Sequence, residues 1–499
     1  MLVAMWRPRI LMAVVLAIGL LALAPSAPAV ADGNESPGPG PGLPVSYPTV
    51  SAGWRHTCVI RPEGAVQCWG RNHEGQLGIG NNESQGDVPG EVGKALPAVN
   101  LGTGRTATAL ATGSYNTCAL LDNGQVKCWG RNDQGQLGLG NNTDRGGAGD
   151  QMGNTLPAVA LGTGRTATAI TMSPARGGNF EQVHACALLD NGKVKCWGTN
   201  SFGELGLGTG DWRGGNTDVL GNNLPAVNLG TGRTATAISA GQNTTCAILD
   251  NGQVKCWGRG EDGRLGIGAT DNRGDAANEM GDALPAVALG AGRTATAITQ
   301  GHGFACALLD NQQIKCWGRN DMGQLGNGDN DQRGGTGDAM GDTLPAVDLG
   351  AGRSGRAVSA GENHVCALLD GDQAKCWGRN SEGQLGAGNT AWRGGTDDLM
   401  GDSLPVVELP TMQAITAGGD STCARLWNEE TRCWGSGAEG ALGLGDTATR
   451  GDDPDEMGDA LPSVDLPPSQ RRLREGPGPG RRAERRRPRS EREQHRRAR

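Results

Sequence analysis

Cys118 to Gly130 reads CALLDNGQVKCWG, and close copies open at Cys58, Cys186, Cys246, Cys306, Cys366 and Cys423, so successive copies are 60, 68, 60, 60, 60 and 57 residues apart. A period of this kind marks a repeat architecture. Within the copy, two short apolar runs flank Asp122-Asn123-Gly124, a hairpin signature. Cys118 and Cys128 lie symmetrically about Asn123, so a three-residue loop with Gly124 left-handed places them directly opposite at a non-hydrogen-bonded site, where antiparallel strands approach most closely. All 14 cysteines fall into such pairs: Cys58 with Cys68, Cys118 with Cys128, Cys186 with Cys196, Cys246 with Cys256, Cys306 with Cys316, Cys366 with Cys376, and Cys423 with Cys433. Zinc is the rival reading, but it takes four ligands and usually shorter spacings. Each disulfide closes a short loop worth at most ~2–3 kcal/mol, and fixes its own hairpin without joining one repeat to the next.

Outward from the repeats, the chain of 499 residues divides by composition. Arg7 and Arg9, an apolar run from Ile10 to Leu23 and the small residues Ala29-Val30-Ala31 predict a secretory signal over 1–31. A membrane span needs about 20 apolar residues, so no transmembrane segment is expected after cleavage. Export and paired cysteines agree, because disulfides persist in oxidising compartments. The expected location is secreted, periplasmic or cell-surface. Residues 32–48 are a Gly/Pro-rich linker, 49–467 the repeats, and 468–499 an Arg-rich tail expected to be disordered. From Arg471 onward the tail holds 13 Arg against four Glu, so a net charge of −8 conceals a body at −17. An acidic body argues against nucleic acid binding by the repeats.

Each repeat offers four candidate strands: A (Leu156 to Leu161, LPAVAL), B (Ala167 to Thr171, ATAIT), and the hairpin strands C and D around the turn. Four short strands per unit and seven units predict an all-β, seven-bladed propeller of four-stranded antiparallel blades. Trp69, Trp129, Trp197, Trp257, Trp317, Trp377 and Trp434 recur at one position and are read as packing between blades. The words AGWRHTC at Ala52 to Cys58 and CWGRNDQGQLGLG at Cys128 to Gly140 resemble the regulator of chromosome condensation repeat. The resemblance covers nearly all of Val50 to Leu466 and implies the same seven-bladed fold; it also implies that His56, His184 and His364, two residues before Cys, make structural hydrogen bonds. The cysteine pair departs from the family's cysteine-free members and suits export. For closure, Leu461 to Leu466 (LPSVDL) is expected to complete the first blade, with Leu43-Pro44-Val45 as the alternative.

In such a blade the B–C and D–A loops share one face and the A–B and C–D loops the other. The second face is monotonous (GTGRT and DNG words), whereas the first carries Trp54, Arg55, Tyr115, Phe180, Trp212, Arg213, His302, Phe304, Trp392 and Arg393. Aromatics and arginine are common interface anchors, so these ten residues are the expected partner-binding set. Repeat three has eight extra residues within Met172 to Val183, again in a B–C loop. There is no nucleophile elbow, P-loop or metal motif, so neither a catalytic residue nor a metal ligand is assigned and no enzyme activity is expected. Acidic loops such as Asp329, Asp331, Asp338 and Asp342 leave calcium as a minor alternative. The expected function is a secreted, non-catalytic propeller that binds an extracellular or envelope protein. A carbohydrate-binding propeller is the alternative, and a hydrolase with a site in the axial channel a distant third.

Overall fold

The computed structural model describes residues 50–174, 182–396 and 399–467. In blade two, Ala107–Thr112 (B), Asn116–Leu121 (C) and Val126–Gly130 (D) form an antiparallel sheet with C in the middle. The same order recurs in seven sheets, from Val50–Ala52, His56–Ile60 and Val66–Gly70 in blade one to Met412–Ala417, Ser421–Leu426 and Thr431–Gly435 in blade seven. The hairpin register pairs Cys118 with Cys128, Thr117 with Trp129 and Leu120 with Val126. Its turn carries Gly124 at φ +76°, with Leu121 N–H donating to Gln125 O (2.8 Å) and Gly124 N–H to Leu121 O (2.9 Å). All seven cysteine pairs are disulfides, with Cα–Cα distances of 4.0–4.1 Å.

Each blade has three strands, not the expected four. The A segment is not a strand: Val159 N–H donates to Val126 O (2.8 Å), and the same single bond recurs at Val99, Val227, Val287, Val347, Val407 and Val464. Proline at the second position of each LPxV word removes one backbone donor. Side chains from strand D take up carbonyls instead. Lys127 Nζ donates to Leu101 O (3.1 Å) and Gly153 O (2.6 Å); Lys255 does so to Leu229 O and Gly281 O, and Lys375 to Leu349 O and Gly401 O. Burial holds these amines below the usual lysine range.

The bond from Val159 also settles which blade each A segment edges: it runs outside strand D of the blade it follows in the chain. Leu461 to Leu466 therefore edges blade seven, through Val464 N–H to Thr431 O (2.8 Å), and does not complete blade one. The alternative strand, Leu43-Pro44-Val45, lies outside the described residues, as do the signal, the linker and the tail. The described ring closes by the contacts that join every other pair of blades. Trp129 Nε1 donates to Gln76 O (2.9 Å), Trp257 to Glu204 O (3.0 Å), Trp317 to Arg264 O (3.2 Å) and, at the junction of blades seven and one, Trp69 to Ala441 O (3.0 Å). All seven tryptophans are fully buried. Around the closing indole, Val50, Val59 and Leu96 pack with Cys423, Cys433, Leu442 and Val464 in one apolar cluster.

Histidine supplies a second tie between blades. His56 Nε2 lies 3.0 Å from Thr117 Oγ1, His184 2.8 Å from Thr245 Oγ1, and His364 2.9 Å from Thr422 Oγ1. The threonine hydroxyls give their protons to the carbonyls of Gln76, Glu204 and Gln384, so each accepts from a protonated Nε2. Burial lowers these imidazoles to about 4 for His56 and about 3 for His184 and His364. They are neutral, structural groups, as the repeat resemblance implied.

Candidate functional site

Strand D ends in glycine for a steric reason. A Cβ on Gly130, at φ +104°, would lie 2.1 Å from Tyr115 O. That close approach presses the B–C loop against the start of the D–A loop, and Arg131 N–H donates to Tyr115 O (3.0 Å). Farther along, Gly130 and Arg145 exchange two backbone bonds. Asn132 fastens the span between them, its Nδ2 donating to Asn141 O (2.7 Å) and Thr143 O (3.1 Å) while its Oδ1 accepts from Leu137 N–H (3.0 Å). Both loop sets thus occupy one face. On the other, Ala107 N–H donates to Gly64 O (2.9 Å), joining the C–D turn of blade one to the connection into blade two.

On the loop face, the junction of blades seven, one and two gathers cations and aromatic rings in alternation. The half-buried Trp54 meets Tyr115 edge-on, with ring centroids 5.5 Å apart and planes at 76°. The Arg55 guanidinium sits 4.3 Å from the Trp54 centroid, and that of Arg71 lies 5.9 Å from Trp54 and 4.9 Å from Tyr115; that of Arg131 lies 5.9 Å from Tyr115. Glu439, from blade seven, pairs with both Arg55 (3.2 Å) and Arg71 (3.0 Å), and His73 Nε2 is 3.7 Å from its second oxygen. Trp54 can seat there because residue 419 is glycine: a Cβ would come within 2.6 Å of the indole Cδ1. Guanidinium over an aromatic face is worth roughly 0.5–1 kcal/mol where exposed and more when dry, so the stack is held in place before any partner arrives.

The other expected site residues are dispersed. Trp212 and Trp392 are 46 % and 44 % exposed, in blades three and six, which are not neighbours. Arg213 and Arg393 stand beside them, but their backbones make the Gly198 and Gly378 bridges that recur in every blade. His302 is partly buried, with Nδ1 3.7 Å from Glu362 Oε1 of the next blade. Phe304 is a correction: it is 1 % exposed, paired with Gly318 in the hairpin of blade five and packed in the core, so it offers nothing to a partner. Tyr115 is 7 % exposed and contributes as the inner ring of the stack. Phe180 lies outside the described residues.

Several residues of the site escaped the sequence reading. Arg71 and Arg131 looked like part of the shared CWGR word; their neighbours Trp54 and Tyr115 distinguish them. Glu439 was hidden in the divergent word GSGAEGALGLG of blade seven. Trp427 is 56 % exposed on the face expected to be monotonous, its Nε1 donating to Asp372 Oδ2 (2.8 Å); tryptophan in a turn that reads DNG in three other blades was the available signal. Among the described residues no group of three or more His, Cys, Asp or Glu is placed to hold a metal ion, and no helix is long and apolar enough to cross a membrane.

Comparison with known proteins gives the arrangement a lineage. The family model described as "Regulator of chromosome condensation (RCC1) repeat" matches residues 49–76, 107–136, 183–204, 235–264, 295–324 and 356–384, and a second model of that description matches 63–120. The ultraviolet-B receptor UVR8 of Arabidopsis thaliana is 30 % identical over 43 % of this chain and 44 % of the receptor. The E3 ubiquitin-protein ligase HERC2 of Homo sapiens is 28 % identical over 42 % of this chain but only 4 % of the ligase. The aligned part is thus less than half of each of these two relatives. Among solved structures, yeast RCC1 (Prp20) with Kap60 bound superposes with a TM-score of 0.56 at 17 % identity, covering 88 % of this chain and 91 % of that one. Human WBSCR16 gives 0.54 at 16 % identity, covering 74 % and 84 %. At these identities the structures speak to the fold alone. With seven sheets in one order, one buried tryptophan per seam and these matches, the chain belongs to the regulator of chromosome condensation repeat family.

Proposed function

We infer that this protein is a non-catalytic, exported interaction propeller that grips a protein partner through its B–C and D–A loop face. The observation that carries the reading is the stack Arg55, Trp54, Arg71, Tyr115, Arg131, pinned by Glu439 where blades seven, one and two meet. Arginine and large aromatics in a rigid, partly dry setting are what interface anchors are made of. Arg55 and Arg71 share one oxygen of Glu439, and the more exposed Arg55 is the one placed to exchange it for an acidic group of a partner. Yeast RCC1 (Prp20), with Kap60 bound, is a family member holding a protein. Export draws on the apolar run of residues 10–23 and on cysteines that are all paired. A carbohydrate ligand is the alternative, and it draws on Trp212 and Trp392 instead of Trp54.

The test is affinity capture from a surface extract of the producing cell, with Arg55→Glu as the control bait. A protein retained by the wild type, identified by mass spectrometry and rebound in purified form with at least about tenfold weaker affinity for Arg55→Glu, supports the reading. Equal retention by both baits rejects it.

A further inference from the structure

Two exposed tryptophans are built alike. Trp212 Nε1 donates to Ser201 Oγ (3.4 Å) in blade three, and Trp392 Nε1 to Ser381 Oγ (3.2 Å) in blade six. The equivalent pairs in the other blades are His73 and Ser84, Asp133 and Asp144, Glu261 and Asn272, Asp321 and Gln332, and Ala438 and Thr449. Serine stands at the first position only where tryptophan stands at the second. Each serine is itself held by another donor: Gln182 Nε2 reaches Ser201 Oγ (2.8 Å) and Arg379 Nε reaches Ser381 Oγ (3.4 Å). The loops also seat alike on the preceding blade: a Cβ on Gly215 or on Gly395 would fall 2.5 Å from Asn142 Oδ1 or Asn330 Oδ1.

We propose that Trp212 and Trp392 are two copies of one binding platform for pyranose rings, so that the propeller engages a repeating, uncharged glycan at two points. Each indole edge is engaged by a serine hydroxyl while close to half of the residue stays exposed, which leaves apolar ring surface on which the C–H side of a sugar ring stacks. An arginine adjoins each tryptophan in the chain and is available to sugar hydroxyls: Arg213, paired with Asp211 (3.6 Å), and Arg393, whose Nη2 donates to Asn389 Oδ1 (3.5 Å). The platforms are isolated, since the exposed large apolar residues among those described are Val88, Trp212, Trp392 and Trp427. A protein interface gathers its aromatics into one dehydrated centre, whereas two separate, equivalent platforms match a ligand that repeats. The acidic body is unsuited to a nucleic acid, the other ligand that stacks on tryptophan.

Titration calorimetry with cellohexaose and chitohexaose, and retention on insoluble cellulose and chitin, test the proposal. Two equivalent sites per chain are expected in the wild type, one in Trp212→Ala or Trp392→Ala with its affinity unchanged, and none in the double variant. On the matching polymer, either single variant should lose about tenfold or more in retention, because the second contact is intramolecular. Ser201→Ala and Ser381→Ala keep both tryptophans, release their N–H groups and should weaken one site each; they serve if a tryptophan variant fails to fold. Arg55→Glu should leave the stoichiometry at two, so this proposal and the protein-partner reading fail separately. No binding to any of these glycans, or binding that survives in the double variant, overturns it.

Discussion

At the seams, one bond recurs around the ring, from the indole N–H of a buried tryptophan to a backbone carbonyl of the preceding blade. On the loop face, by contrast, the B–C loops differ from blade to blade, with Trp54, Tyr115, Asn243, His302, Glu362 and Asp420 among their residues. The seam tolerates change only where change does not reach the bond. The accepting residue is Gln76, Gln136, Glu204, Arg264, Gln324, Gln384 or Ala441, yet the acceptor is always its main-chain oxygen. Glu204 shows the cost, since burial raises its carboxyl above the usual range. The partners of the loop residues differ from blade to blade, as Trp54 with Tyr115 and His302 with Glu362 show, and that variety is where one blade can acquire individual work.

Breaking the seam should have the largest effect. Trp257→Ala removes a fully buried indole and leaves Glu204 O without that donor, so a loss of about 3–5 kcal/mol in denaturant unfolding is expected. Removing one staple comes next. Cys246→Ala with Cys256→Ala should cost about 2–3 kcal/mol, because the disulfide closes a short loop within a single hairpin. If either change costs under about 0.5 kcal/mol, as surface substitutions do, the contrast between seam and loop face collapses.

Acid should find the histidine ties. Their native pKa values, about 4 for His56 and about 3 for His184 and His364, lie below the unfolded value of 6.5. The unfolded chain therefore binds more protons across that window, and stability falls as pH drops below about 6.5, by up to about 1.4 kcal/mol per pH unit for each histidine. Thermal melts from pH 7 to pH 4.5 should show the slope, and changing all three to Gln should flatten it. The smallest effect is a gain. Gln312 holds φ +66° where four other hairpins have Gly64, Gly124, Gly192 and Gly252, so Gln312→Gly should add about 1 kcal/mol. No gain in the unfolding midpoint would mean that Gln312 earns its conformation through contacts of its own.

Much of this fold was legible because its decisive features are local. The disulfide register followed from the symmetry of Cys118 and Cys128 about Asn123, and the packing role of the tryptophans from their recurrence. The fourth strand was misread for a physical reason: LPAV has the apolar character of a strand, but its ladder is replaced by one valine bond and by lysine amines from another segment. Ring closure was misplaced by the same error, since only the bond from Val464 to Thr431 shows which blade the last segment edges. Phe304 looked like a loop aromatic beside Gly303, and one step of register carried it into the core.

The repeat, the hairpins, the staples and the buried tryptophan of each seam are written in the chain, because they rest on neighbours along it or on identical neighbours in space. Which loop residues meet follows only from the folded ring. Arg55, stacked on Trp54, and Glu439 are brought together by closure of the ring from positions 384 residues apart in the chain, and no local periodicity records such a contact.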